Sequence, residues 1–163
     1  MIKAFIIINN YGKVRFLKFY NYMTEEQQQK VIRDLYNLTS KRTIRSSNIF
    51  AIPQSFFNED GLKAISRVYA TLNFICVIDE NENELFIHSM IQSYVEVLDK
   101  CFENVCELDL VFNSDRCHYI LNEFIQGGII LQTDTSEIIR LLQEQMKLEK
   151  EDAPQVKGVS VSI

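Results

Sequence analysis

MIKAFIIINNYGKVRFLKFY, residues 1–20, decides how the rest of the chain is read. Five apolar residues, Ala4 to Ile8, follow Lys3; Asn9-Asn10 interrupts them, and Lys13, Arg15 and Lys18 then stand among aliphatic and aromatic neighbours. An export signal needs an apolar centre of roughly 7–15 residues and a small-residue cleavage site. A membrane-spanning helix needs roughly 18 apolar residues or more. The run is too short for either, and Ile2 stands where N-myristoylation requires glycine. β-Branched Ile2, Ile6, Ile7 and Ile8, an Asn-Asn-Tyr-Gly link and the stretch 14–20 instead predict a hairpin. Asn10 and Gly12 are the residues of that link suited to positive φ. Arg15 is thereby placed inside a strand-like stretch, where a solvated charge is the plain reading.

The chain has 163 residues, 47% apolar and 24% charged, which fits one globular domain with a substantial core and excludes wholesale disorder. Cys76, Cys101, Cys106 and Cys117 form no Cys-x-x-Cys pair, so reduced thiols in a cytosolic protein are expected rather than a disulfide frame. The net charge of −5 conceals an asymmetry: residues 1–45 carry +6 and the remainder −11. A basic first third on an acidic chain suits an acidic partner segment or anionic lipid, or simply solvated surface charge.

Beyond the hairpin, Thr24 with Gln27 has the form of a capping box, and Val31, Ile32, Leu35, Tyr36 and Leu38 mark one apolar helix face. FAIPQSFF, 50–57, contains Pro53 and reads as an edge or irregular strand. Asn-Glu-Asp-Gly at 58–61 is a turn, and 62–70 and 72–79 read as two further strands, making five. From Asp79 the pattern becomes helical. Asn81 and Glu84 offer a cap, and apolar residues recur at three- and four-residue spacing from Ile87 to Val105. ELDLVFN, 107–113, alternates briefly; Cys117 to Ile125 marks another helix that Gly127-Gly128 is expected to stop. Asp134 with Glu137 opens the last helix, and 151–163 reads as a flexible tail after a domain of residues 1–150. This order implies an α+β domain, an antiparallel sheet packed by helices.

Catalytic signatures are missing: the chain holds no GxxxxGK, GxGxxG, HExxH or GxSxG. Cys101, Cys106, Cys117 and His118 match no common zinc spacing, and the cysteines are read as small apolar residues of helices. Asp99/Glu103 and Glu107/Asp109 are read as solvated helix charges rather than acid–base pairs. The chain is therefore read as a binding protein, not an enzyme.

Three segments carry a resemblance: residues 1–20, RVYATLNF at 67–74, and YVEVLDKCFENVCELDLVFN at 94–113. In this order they resemble the small sigma subunits of the heterotetrameric clathrin-type adaptor complexes, from Met1 to about Lys150. KFY at 18–20, SKR at 40–42, LDKCFENVCELDL, Gly127-Gly128 and LEK at 148–150 are most similar to adaptor complex three, of endosome-to-lysosome or vacuole sorting. The resemblance implies a longin-like fold, a five-stranded antiparallel sheet flanked by helices. It implies no cofactor, no metal and no nucleic acid. The implied partners are a large adaptin of delta type, through it the beta and medium subunits, and cytosolic tails of membrane cargo. Membrane contact would come through the whole complex, peripheral to Golgi or endosomal membranes and coated vesicles.

The same resemblance carries over a pocket for acidic dileucine signals, [Asp/Glu]-x-x-x-Leu-[Leu/Ile], onto Ala70, Leu72, Val95, Asn104, Val105 and Leu110, with Arg15 facing the acidic residue. Burying two leucines is worth about 3–6 kcal/mol gross, and ordering a flexible peptide consumes several kcal/mol of it. An exposed ion pair adds only about 0–1 kcal/mol. Apolar burial should hold the peptide while Arg15 sets register and preference. The chain departs from the family at Asn10, where some members carry a basic residue, and at Asn73, where an aromatic is common; residues 43–57 align poorly and receive no role. Another longin-type tether or coat subunit, a scaffold or small-GTPase partner without cargo binding, is the alternative.

Overall fold

The computed structural model describes residues 1–41 and 47–152. Strand β1 (Ile2–Asn9) pairs antiparallel with β2 (Val14–Phe19) and with β5 (Leu72–Ile78). Strands β4 (Lys63–Tyr69) and β3 (Ile49–Ala51) complete an antiparallel five-stranded sheet in the order β2-β1-β5-β4-β3. The fold class is the expected α+β. Every residue of β1 is buried, because helices cover both faces of the sheet; a strand covered on both sides reads as a continuous apolar run rather than an alternation. Ala4, Ile6 and Ile8 face one core, and Ile2, Phe5 and Ile7 the other. A register shift between Ile2 and Ala4 brings Ile2 and Phe5 to the same face despite their odd spacing.

One face is covered by α1 (Glu25–Ser40), which buries Val31 and Leu35. Its capping box forms as the sequence predicts: Gln27 N donates to Thr24 Oγ1 at 3.3 Å and Thr24 N to Gln27 Oε1 at 2.9 Å. The other face carries α2 (Glu84–Phe102), α4 (Ser114–Phe124) and α5 (Thr135–Asp152). Tyr94 of α2 is wholly buried there, edge-on to Phe5 and Phe124, and its hydroxyl donates to Cys117 O at 3.0 Å. After β3, Pro53 leads into a 3-10 turn, Gln54–Phe56, in keeping with an edge strand that cannot continue.

Five local expectations are corrected. In the hairpin link Gly12 alone takes positive φ, +83°; the Asn9 side chain, not Asn10, shapes it, accepting from Tyr11 N and Lys13 N. The cap of α2 is Asn83 rather than Asn81, its Oδ1 accepting from Leu85 N and Phe86 N. The helical run does not reach Val105: Glu103 and Asn104 turn left-handed at φ 53° and 78° and end it. ELDLVF is a short helix, α3 (Glu107–Phe112), since Asp109 Oδ2 accepts from Cys106 N at 2.8 Å and closes its first turn. Gly127 and Gly128 do not stop α4, which ends at Phe124; they form the turn between β6 (Ile125–Gln126) and β7 (Ile129–Ile130).

Gly128 also anchors the start of β1, since its carbonyl accepts from Ile2 N at 2.8 Å, and a Cβ there would lie 2.5 Å from Ile2 O. α5 continues through Asp152, and the remainder of the expected tail, 153–163, lies outside the described residues, as do residues 42–46 of the basic loop. Among the described residues no helix is long and apolar enough to cross a membrane.

Candidate binding site at the hairpin end of the sheet

Of the residues assigned to cargo binding, Ala70 and Leu72 lie where β4 ends and β5 begins, and Val95 lies within α2. Asn104, Val105 and Leu110 lie in the α2–α3 link and α3, which Glu107 ties to that turn and to the end of β1. Tyr69 pairs with Leu72, so Ala70 and Thr71 form a two-residue turn, with Ala70 left-handed at φ 53°. A non-glycine residue held there costs on the order of 1–3 kcal/mol, and such strain gathers at working sites. Four non-glycine residues have positive φ among those described, and three of them, Ala70, Glu103 and Asn104, flank this region.

Leu72, Val95 and Leu110 are buried members of a single core, and half-buried Val105 packs against it. Leu72 and Val95 retain slight exposure, 6% and 7%, whereas Leu110 has none. Asn104 is exposed; its backbone N donates to Asp99 O at 3.1 Å, and its side-chain amide bonds no other described residue. Ala70 is exposed on the turn. Ala70 and Leu72 also line a groove of about 250 Å3, but its other walls include Tyr36 and Thr39 of α1, on the opposite side of the sheet from Val95. Leu72, Val95, Val105 and Leu110 thus belong to the one large core on this face of the sheet, while Asn104 is exposed in the α2–α3 link and Ala70 on the β4–β5 turn.

Arg15 is not a freely solvated strand residue. Its Nε donates to Glu107 Oε1 at 2.5 Å, and its side chain is 25% exposed. The same Glu107 oxygen accepts from Asn9 Nδ2 at 2.9 Å, while Oε2 accepts from Thr71 Oγ1 at 3.4 Å. Donors from β1, β2 and the β4–β5 turn therefore converge on the first residue of α3. Hydrogen bonds from Asn9 and Arg15 hold the Glu107 carboxyl below the usual glutamate range. The expectation that Glu107 and Asp109 are solvated helix charges is corrected: Glu107 binds three partners and Asp109 caps α3. Asp99 likewise accepts from Val105 N at 3.0 Å and fixes the α2–α3 link. Asn73, one of the departures from the family, accepts from Ser66 Oγ at 2.6 Å within the sheet.

Asn9, Thr71 and Glu107 are the residues of this region that sequence reading passed over. Asn9-Asn10 drew attention as a turn signal only, and Glu107 stands 92 positions from Arg15. The imagined zinc ligands do not assemble: among the described residues no three His, Cys, Asp or Glu side chains are placed to hold a metal. Cys117 is buried, and burial pushes its thiol up to about 12. His118 instead stacks on Phe16 of β2, ring centroids 4.1 Å apart.

Residues 1–149 match the clathrin adaptor complex small chain family. The AP-3 complex subunit sigma of Dictyostelium discoideum is 50% identical over 162 residues, 98% of this chain and 94% of that protein. The human AP-3 complex subunit sigma-2 is 45% identical over 152 residues, covering 93% and 78%. A chain in a homology model of the full-length AP-3 complex in a stretched open conformation superposes with a TM-score of 0.71 at 32% identity, covering 93% of this chain and 96% of that one. The five-stranded sheet with its helices is the longin-like fold of adaptor small chains. With the match spanning nearly all of its length, this chain belongs to the clathrin adaptor complex small-chain family.

Proposed function

We propose that this chain, a sigma-type adaptor small subunit of vesicle trafficking rather than an enzyme, pairs with a large adaptin of delta type and reads acidic dileucine signals in the cytosolic tails of membrane cargo. Through the large adaptin it joins the beta and medium subunits, and the complex works peripherally on Golgi or endosomal membranes. One observation carries the reading. Glu107, two positions beyond Val105, is bonded by Arg15 and by Thr71 of the turn that holds Ala70 and leads into Leu72, and Leu72, Val95, Val105 and Leu110 all belong to the core on that face of the sheet.

A peptide leucine pair entering beside Val95 and Val105 would exchange water for aliphatic surface, worth about 3–6 kcal/mol gross. The exposed Asn104 amide offers a donor and an acceptor to the peptide backbone. Micromolar binding, about −8 kcal/mol, therefore asks for burial and backbone bonding together, with charge as a minor part.

The test is titration of a labelled acidic dileucine peptide into the copurified complex of this chain with its large adaptin. Saturable binding is expected, abolished in Val95→Asp and in Val105→Asp, and weakened severalfold in Arg15→Glu. Val105 is only half-buried, so its variant keeps the test open should Val95→Asp fail to assemble. Absence of binding by the intact parent complex overturns the cargo reading and leaves a scaffold subunit.

A further inference from the structure

Under the cargo-binding reading, Arg15 awaits a peptide carboxylate, yet it already holds one. We propose that Glu107 is a specificity-determining residue of this site: an internal counter-ion to Arg15 that sets how strongly an acidic residue in the peptide is preferred. The inference rests on the cargo-binding reading above and adds the residue that governs its charge selectivity.

The geometry supports a charge balance rather than simple occupation. Arg15 engages Glu107 through Nε, and its two terminal NH2 groups bond no other described residue. A peptide carboxylate can approach those groups while Glu107 remains, but it meets the negative charge of Glu107 beyond them. Alternatively it displaces Glu107, which then gives up its bonds to Arg15, Asn9 and Thr71. By the first route the peptide acid gains its own pairing less the repulsion from Glu107; by the second it gains only the difference between its own pairing and that of Glu107.

Glu107 is suited to such a role. Its side chain is 27% exposed, so solvent and an incoming group reach it where it stands. It opens a six-residue helix reached through the exposed Asn104 link rather than lying inside a long element. The hydrogen bonds that lower its pKa keep it ionised at neutral pH, so the opposing charge is constant there.

Two peptides identical except for Glu or Gln at the acidic position are titrated into the copurified sigma–large-adaptin complex, as parent, Glu107→Gln, Glu107→Ala and Arg15→Gln. The reading is the ratio of the two affinities, which cancels the leucine contribution. In Glu107→Gln, whose amide oxygen still accepts from Asn9 and Arg15, the preference for Glu should rise about three- to fivefold, the range expected for removing a like charge near a partly exposed site. Glu107→Ala should move it in the same direction, and Arg15→Gln should bring it toward unity. Both peptides binding with an unchanged or smaller ratio in the two Glu107 variants overturns the inference while the cargo reading stands. Binding of neither peptide to the parent overturns the cargo reading and this inference with it.

Discussion

The two ends of β1 are both tied to distant parts of the chain, by different means. At its start, Ile2 N donates to Gly128 O and Asp79 N to Met1 O, so backbone groups of β1, β5 and the β6–β7 turn lock together. At its finish, side chains do the tying: Asn9 and Arg15 reach Glu107, and the backbone adds Asn10 N to Thr71 O at 3.0 Å. Backbone bonds closed around a buried Ile2 have no alternative partner, whereas a carboxylate bonded by partly exposed side chains can exchange its donors for water or another charge. The first end rests chiefly on buried backbone, with the Met1 ammonium paired to Asp79 and Glu82 outside it, and the second on side chains that solvent can reach.

Substitution at the two ends should separate them sharply. Gly128→Val should be the most damaging, because φ +82° excludes a β-branched residue and the Cβ would strike Ile2 O. A loss of at least about 3 kcal/mol is expected in urea unfolding. A Gly128→Val protein unfolding at the parent midpoint would show that the first end is as adaptable as the second. Asn9→Ala should cost about 1–2 kcal/mol, since buried Asn9 organises the hairpin turn as well as holding Glu107. A cost equal to that of Gly128→Val would erase the contrast.

The smallest expected effect is a pH dependence. Burial, with Lys18 nearby, lowers the His118 pKa below 6.5 against an opposing influence from Asp115; burial and Arg67 lower that of His88. The unfolded chain then binds protons first as pH falls, so stability should decline below about pH 6.5. His118→Gln should remove part of that slope, and His88→Gln with His118→Gln should remove all of the histidine share. Persistence of the full slope in the double variant would assign it to carboxylates.

The sheet was legible because β1 and β5 are apolar enough to be central, and α1 because Thr24 and Gln27 close a local loop. Local patterns failed where the deciding contact lies elsewhere. ELDLVF alternates like a strand, but the Cys106–Asp109 bond makes it helical. Gly127-Gly128 resembles a helix stop, but the pairing of β6 with β7 makes it a hairpin turn, whose Gly128 O accepts from distant Ile2 N. Leu72, Val95 and Leu110 are core residues by burial, and periodicity alone cannot tell a core residue from one that also lines a pocket. Arg15 drew attention by its type, while its partner Glu107 looked like any charge on a helix.

Strand β2 is one of the two margins of the sheet, and β3, the other, has only three residues. A six-residue margin with unpaired peptide groups is a template onto which a foreign strand can add. Arg15 and Lys18 stand on that margin as charged deterrents to strand addition. Replacing Arg15 with an aliphatic residue would therefore invite self-association and cloud any test of the proposed role in recognition, whereas substitutions that keep the position hydrophilic leave the margin guarded.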